Sequence, residues 1–193
     1  MKGESYLFVV SGPSGVGKDS VMTCLRQAHP EIEKTISATT RPPRAGEAEG
    51  VNYYYRTEEE FRQLAAQGQI LESNRYNGYL YGTLRAEVER RMAAGKLTLL
   101  NIDVHGAANI KRLYPGATIV FLLPPTFEVL EQRLRGRGTD SEEAIRRRLD
   151  IAREELGHAG EFDAWIVNHT LEQAAGELYR LMACKTGETE RRR

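Results

Sequence analysis

The stretch "SGPSGVGKDS", residues 11–20, decides the fold. Gly12, four further residues, Gly17 and Lys18 match the phosphate-loop pattern, in which backbone N–H groups curl around phosphate oxygens and the lysine reaches the outer phosphates. Side chains at the glycine positions would obstruct that curl. The pattern next asks for a Ser or Thr, whose hydroxyl holds Mg²⁺. Here Asp19 stands in that place and Ser20 follows it. The loop lies between "SYLFVVSG", an apolar run of strand length, and "SVMTCLRQA", which has helical spacing, so a helix N-terminus also faces the anion. A glycine-rich turn that binds nothing would explain the glycines but not Lys18. The segment Gly12, Pro13, Ser14, Gly15, Val16, Gly17, Lys18, Asp19 and Ser20 therefore reads as a nucleotide cradle. The question it leaves is the metal shell.

Outward from the loop, apolar runs of strand length recur at 97–103 ("LTLLNID"), 117–123 ("ATIVFLL") and 164–168 ("AWIVN"). Helical stretches lie between them. "LRAEVERRMAAG" closes on Gly95, a helix C-terminal signal, and "LEQAAGELYRLMA" puts Leu171, Ala174, Leu178 and Leu181 on one face. Strands alternating with helices predict an α/β fold, a parallel sheet covered on both sides. Two insertions interrupt the rhythm. Residues 37–87 are polar and tyrosine-rich, with a capping box at Thr57–Glu60 and an Asn77-Gly78 turn, and read as a small α+β lobe. Residues 127–157 are helical and arginine-dense, with "GRGTD" (136–140) as a turn between two helices. Residues 1–36, 88–126 and 158–193 make the core of one domain, ending in a tail without apolar periodicity.

Composition bounds the rest. The chain has 193 residues, 40% of them hydrophobic, enough for one core with an appended subdomain. Lys+Arg and Asp+Glu balance at 27 each, so no global field points to nucleic acid or a membrane surface as a partner. No apolar run approaches a membrane span and the N-terminus has no signal pattern, so the expected location is cytoplasmic. Cys24 and Cys184 make no disulfide framework and read as reduced core thiols. His29, His105, His158 and His169 lack metal-ligand spacing and read as structural or surface residues. Oligomeric state, monomer or homodimer, stays open.

In "SATTRPPRAGEAEGVNYYY" (37–55), Arg41 and Arg44 flank two prolines. The prolines stiffen the segment, so two guanidiniums can face one anion at low entropic cost. Tyr53 adds a hydroxyl. On these residues alone, an anion site and a solvated loop both remain open. Nearby, Glu72 ends the apolar run "ILES", and Tyr81, Gly82 and Thr83 follow the predicted turn.

Taken together, "GPSGVGK", "TTRPPRAGE..G..Y", "YGT", "NIDVHGA", "RLRGRGTDSEEAIRRRL" and "IVNH" resemble the guanylate kinases over almost the whole chain. The resemblance implies a P-loop parallel-sheet core with a nucleoside-monophosphate lobe and a mobile helical lid. It implies phosphoryl transfer from Mg-ATP to GMP, and to its deoxy form, in purine nucleotide metabolism. On matching positions, it gives Arg41, Arg44, Tyr53 and Tyr81 to the GMP phosphate, and Ser37, Glu72 and Thr83 to the guanine, with Gly82 in the same stretch. Asp103 is assigned to metal and base. Arg133, Arg137 and Arg148 are to come from the lid onto the transferring group, and Asn168 to lie near the adenine or its ribose.

The chemistry suits these residue types. Guanine presents N1–H and N2–H₂ donors on one edge, which a carboxylate such as Glu72 accepts, while hydroxyls of Ser37 and Thr83 can donate to O6. Adenine lacks the N1–H and would leave Glu72 unpaired, a mismatch that buried sites reject by on the order of 10⁴. The nucleophile is a phosphate oxygen already ionised at neutral pH, so no general base is required. The barrier is the approach of two polyanions, which positioning and cations overcome.

Two positions depart from the family pattern. Asp19 stands where Ser or Thr is usual, and Asn101 where Asp is usual. The expectation is that these changes compensate, with Asp19 as a Mg²⁺ ligand beside Asp103; the alternative is that Ser20 or water serves the metal while Asp19 pairs with a cation. "GKDS" also resembles the ribose-bisphosphate phosphokinases of the same fold, but that leaves Ser37, Glu72 and Thr83 unexplained. A non-catalytic guanylate-kinase-like binding module would have lost Lys18 and the lid arginines, which this chain keeps.

Overall fold

The computed structural model describes residues 6–76, 78–136 and 141–186. In chain order it contains β1 (Leu7–Ser11), α1 (Lys18–Ala28), β2 (Glu33–Lys34), β3 (Ser37–Thr39), β4 (Tyr54–Tyr55), α2 (Glu58–Ala66), β5 (Ile70–Tyr76) and β6 (Tyr79–Leu84). There follow α3 (Arg85–Ala93), β7 (Thr98–Asn101), α4 (Val104–Leu113), β8 (Thr118–Leu123), α5 (Phe127–Arg135), α6 (Glu142–Gly157), a 3₁₀ turn at Ala159–Glu161, β9 (Ala164–Val167) and α7 (Leu171–Lys185).

The apolar runs form a five-stranded sheet of order β2-β7-β1-β8-β9, parallel throughout. β1 is buried at every position because both faces of the sheet are covered. Its side chains alternate between two cores, as the period of a strand requires. Phe8 and Val10 pack with Val21 and Leu25 of α1 and Leu178 and Met182 of α7. Leu7 and Val9 pack with Val88 of α3 and Ala107 and Ile110 of α4. Truncating a fully buried residue such as Phe8 to Ala would cost about 3–5 kcal/mol. Leu134, Ile145 and Leu149 join α5 to α6 in a smaller cluster.

Residues 37–84 hold a second, four-stranded sheet of order β4-β3-β6-β5. β3 and β4 are parallel, and β6 runs antiparallel to both β3 and β5. The β5–β6 hairpin closes between Tyr76 and Tyr79 with Gly78 at φ +84°; Asn77, the other half of the expected turn, lies outside the described residues. α2 starts with the expected capping box: the Thr57 hydroxyl accepts from the Glu60 N–H, and the Glu60 carboxylate accepts from the Thr57 N–H at 2.7 Å. The "GRGTD" segment is outside the described residues after Gly136.

The carboxyl ends of β1 and β7 open toward this second sheet. In open α/β sheets that crevice is where ligands bind. Among the described residues, no helix is long and apolar enough to cross a membrane.

Candidate active site

The loop after β1 folds where only glycine fits. Gly12 has φ +138°, and a Cβ there would stand 2.5 Å from the Leu122 carbonyl oxygen of β8. Lys18 is the first residue of α1, and Gly17 caps that helix without a side chain. The first N–H groups of α1 are thus left to an incoming anion, and the helix dipole adds to the attraction. Lys18 Nζ donates to the carbonyls of Gly12 (2.5 Å) and Pro13 (3.3 Å). Asn168 is buried and donates to the Val16 carbonyl at 2.7 Å. Arg133 donates to the same carbonyl at 3.1 Å and to the Asn168 carbonyl at 2.9 Å. Both residues therefore shape the loop itself. Ser14 donates its backbone N–H to the carboxylate of Glu155, on α6, at 3.2 Å. Burial pushes the Glu155 carboxyl above its usual range, against the pull of the nearby Lys18 charge.

Between the loop and the second sheet lies a cavity of about 460 Å³. Lys18, Asp19 and Asp103 line one side; Ser37, Arg41, Arg44, Tyr53, Glu72, Tyr81 and Gly82 line the other. Arg41 is almost fully buried and is held by Glu47, whose two carboxylate oxygens each accept from Nη2 at 2.8 Å. Glu47 also accepts from the Arg44 N–H and the Tyr55 hydroxyl. The Arg44 N–H, then Arg41 and Tyr55, hold its carboxyl down at about 2. Tyr53 lies under the Arg41 guanidinium, 5.5 Å from the ring centroid, and edge-on to Tyr81 at 5.8 Å. Burial raises the Tyr53 pKa, which keeps its hydroxyl a proton donor.

Glu72 is the deepest acid of this cavity. Its carboxylate accepts from the Thr83 hydroxyl across the β5–β6 pairing. It also lies against Gly106 in the first turn of α4, where a Cβ would be 2.7 Å from Oε2. Burial pushes its carboxyl up to about 7, with Asp103 adding to the rise and the Thr83 hydroxyl opposing it. The Thr83 hydroxyl proton is thus already used to orient Glu72. Ser37, paired with Thr83 on the neighbouring strand, is the hydroxyl left to face a ligand.

Asp103 caps α4 by accepting from the Gly106 N–H at 2.7 Å, and its other oxygen accepts from the Asn74 amide. Asp19 accepts from Asn101 at 2.7 Å and from Lys34 at 3.2 Å, both on Oδ1. Of the expected lid arginines, Arg133 is tied to the loop, and Arg148 of α6 sits over the Tyr76 ring at 5.3 Å. Arg137 lies outside the described residues. Arg146, Arg147 and Arg153 pair with Glu142, Glu143 and Asp150 along their own helix.

The profile of the family described as guanylate kinase matches residues 4–185. The chain belongs to the guanylate kinase family. A guanylate kinase of Nostoc sp. is 51% identical over 87% of this chain and 84% of its own length. One from Synechocystis sp. is 49% identical over 93% of this chain and 94% of its own. The crystal structure of guanylate kinase from Anaplasma phagocytophilum superposes with a TM-score of 0.74 at 31% identity, covering 96% of this chain and 88% of that one. The expected P-loop α/β fold is therefore the observed one.

Against the guanylate kinase motifs, sequence reading passed over Glu47, Asn74, Tyr76 and Glu155. Glu47 is readable as the first acid behind Arg41 and Arg44. Asn74 and Tyr76 share strand parity with Glu72, which places all three on the cavity side of β5. Glu155 had no local signal, because it meets Ser14 from 141 residues away.

Proposed function

We propose that this guanylate kinase family member transfers the terminal phosphoryl of ATP directly to GMP. The observation that carries the reading is Glu72: a buried carboxylate, oriented by Thr83, in the same cavity as Lys18 and Arg41. Such a group suits the two N–H donors of guanine and leaves adenine unmatched. Ser37 donates to O6. Arg41, Arg44, Tyr53 and Tyr81 bind the GMP phosphate, with Glu47 pre-setting Arg41 so that little ordering remains when the substrate arrives. The loop Gly12–Ser20 holds the ATP phosphates, and Lys18 leaves the Gly12 and Pro13 carbonyls for them. Arg133 and Asn168 keep the loop in shape, while Arg137 and Arg148 bring positive charge to the transferring group.

The donor set fits Mg²⁺. Hard oxygens are required, and this ion is commonly held by one or two carboxylates, substrate phosphates and water. Asp19 and Asp103 line the cavity on the loop side, and Asp19 takes its protein partners on one oxygen. When bound, the ion screens the phosphate charge and orients the terminal phosphate. Residues 37–87 act as the GMP lobe and 127–157 as a lid that closes to exclude water, which suppresses ATP hydrolysis. Cys24 is half-buried and Cys184, expected in the core, is exposed; free thiols at both suit the cytoplasm.

The test is ADP release with Mg-ATP and GMP, AMP, UMP or ribose 1,5-bisphosphate as acceptor. Turnover confined to GMP is expected. Turnover of the ribose bisphosphate would make "GKDS" the truer signal and overturn the reading.

A further inference from the structure

Residues at alternate positions of a strand share a face. On β5 these are Glu72, Asn74 and Tyr76, and all three line the cavity. Glu72 is buried beside α4, Asn74 donates to Asp103, and Tyr76 stands next to the hairpin tip with 50% of its surface exposed. Over the Tyr76 ring, 5.3 Å from its centroid, is the guanidinium of Arg148. That side chain comes from α6, a different part of the molecule. A cation above an aromatic face is attracted by the ring quadrupole, and a planar guanidinium does this best because it can stack. Arg146 and Arg147 each pair with an acid one turn earlier on α6. Arg148 reaches across to a residue of the GMP lobe.

We propose that Tyr76 is a positioning residue for phosphoryl transfer. Its ring seats Arg148 at the mouth of the cleft, so that the lid guanidinium is in place when the acceptor is. β5 then carries the guanine reader at one end and the seat of a lid arginine at the other. A single strand thereby couples acceptor binding to lid placement. The inference rests on the lid role given to Arg148 above. It is the ring face, not the hydroxyl, that does this, so phenylalanine must replace tyrosine and leucine must not.

Steady-state kinetics on Tyr76→Phe, Tyr76→Leu, Arg148→Ala and the Tyr76→Leu/Arg148→Ala double variant test this, with thermal unfolding to confirm folding. Arg148→Ala is expected to lower kcat at least about tenfold. Tyr76→Phe should stay within about twofold of wild type. Tyr76→Leu should lower kcat by about fivefold, the upper end of what a cation–π contact on a half-exposed ring supplies, with KM for GMP and ATP little changed. Added to Arg148→Ala, it should cost almost nothing more. Wild-type turnover by Arg148→Ala would sink the lid reading and this inference with it. If Arg148→Ala is slow, three outcomes overturn the inference alone: Tyr76→Leu at wild-type rate, Tyr76→Phe as slow as Tyr76→Leu, or a full additional loss in the double variant.

Discussion

Asn101 donates its side-chain amide to Asp19 Oδ1 at 2.7 Å. Asp19 stands where the phosphate-loop pattern asks for Ser or Thr, and its partner is the other position that the sequence reading singles out. An aspartate at 101 would bring a second carboxylate against the first, which like charges oppose. With asparagine there, Asp19 Oδ1 accepts from two donors, Asn101 and Lys34.

The pairing makes a reciprocal prediction. Asn101→Asp alone should lower the melting temperature without Mg²⁺ and recover part of the loss when Mg²⁺ and ADP are added. Asp19→Ser should raise the Mg²⁺ concentration needed for ADP to protect against unfolding. The double variant Asp19→Ser/Asn101→Asp, which restores the usual arrangement, should return both readouts toward wild type. Strictly additive effects in this cycle would show that the two positions do not compensate.

Glu72 should trade stability for recognition. Its folded-state pKa of about 7 lies above the ordinary 4.5. A raised carboxyl pKa means that the folded protein holds the proton more tightly. Stability tied to this group is therefore full below pH 4.5 and lost as pH rises through about 7. The loss amounts to about 3 kcal/mol for the ligand-free protein. Glu72→Gln should recover much of that at pH 8 and little at pH 4.5, as denaturant titrations would measure. The same change should weaken GMP binding by roughly 10²–10³, because an amide offers a donor to guanine's donors.

GMP binding should itself depend on pH. Guanine needs the ionised form of Glu72, so affinity should fall as pH drops below about 7, approaching tenfold per unit. At pH 6, Glu72 should contribute close to one proton to the release on binding, beside the share from the GMP phosphate, whose second ionisation is also at about 6. Calorimetry in two buffers of different ionisation enthalpy would report this, and proton uptake would contradict it.

Glu155 places a carboxylate at the Ser14 N–H, next to Lys18. Glu155→Gln keeps an acceptor there and removes a charge that opposes phosphate. ATP should bind about fivefold more tightly, the effect of roughly 1 kcal/mol of relieved repulsion. Weaker binding would mean that Glu155 instead holds the loop ready for ATP.

Much of this was legible in the sequence because the signals were local or periodic. The β1–loop–α1 unit, strands β7, β8 and β9 of the main sheet, the Thr57–Glu60 capping box and the Gly95 stop each rest on neighbouring residues. β2 and β4 were not legible: two-residue strands such as Glu33–Lys34 have no room for a period and form only because β7 offers an edge. Motif matching listed the acceptor residues but not how they act on one another. It gives Thr83 to the guanine, and does not reveal that the hydroxyl also donates to Glu72. It gives Arg133 to the transferring group, and does not reveal that the guanidinium also bonds to the carbonyls of Val16 and Asn168. Such partners are set by tertiary packing, which no spacing encodes.

The most direct test of the account is kcat/KM for GMP and AMP with Mg-ATP, for wild type and Glu72→Gln. The account predicts that wild type prefers GMP by on the order of 10⁴, and that Glu72→Gln loses most of that preference through its GMP term. Comparable turnover of AMP by wild type, or an unchanged preference in the variant, would contradict the assignment of Glu72 as the guanine reader.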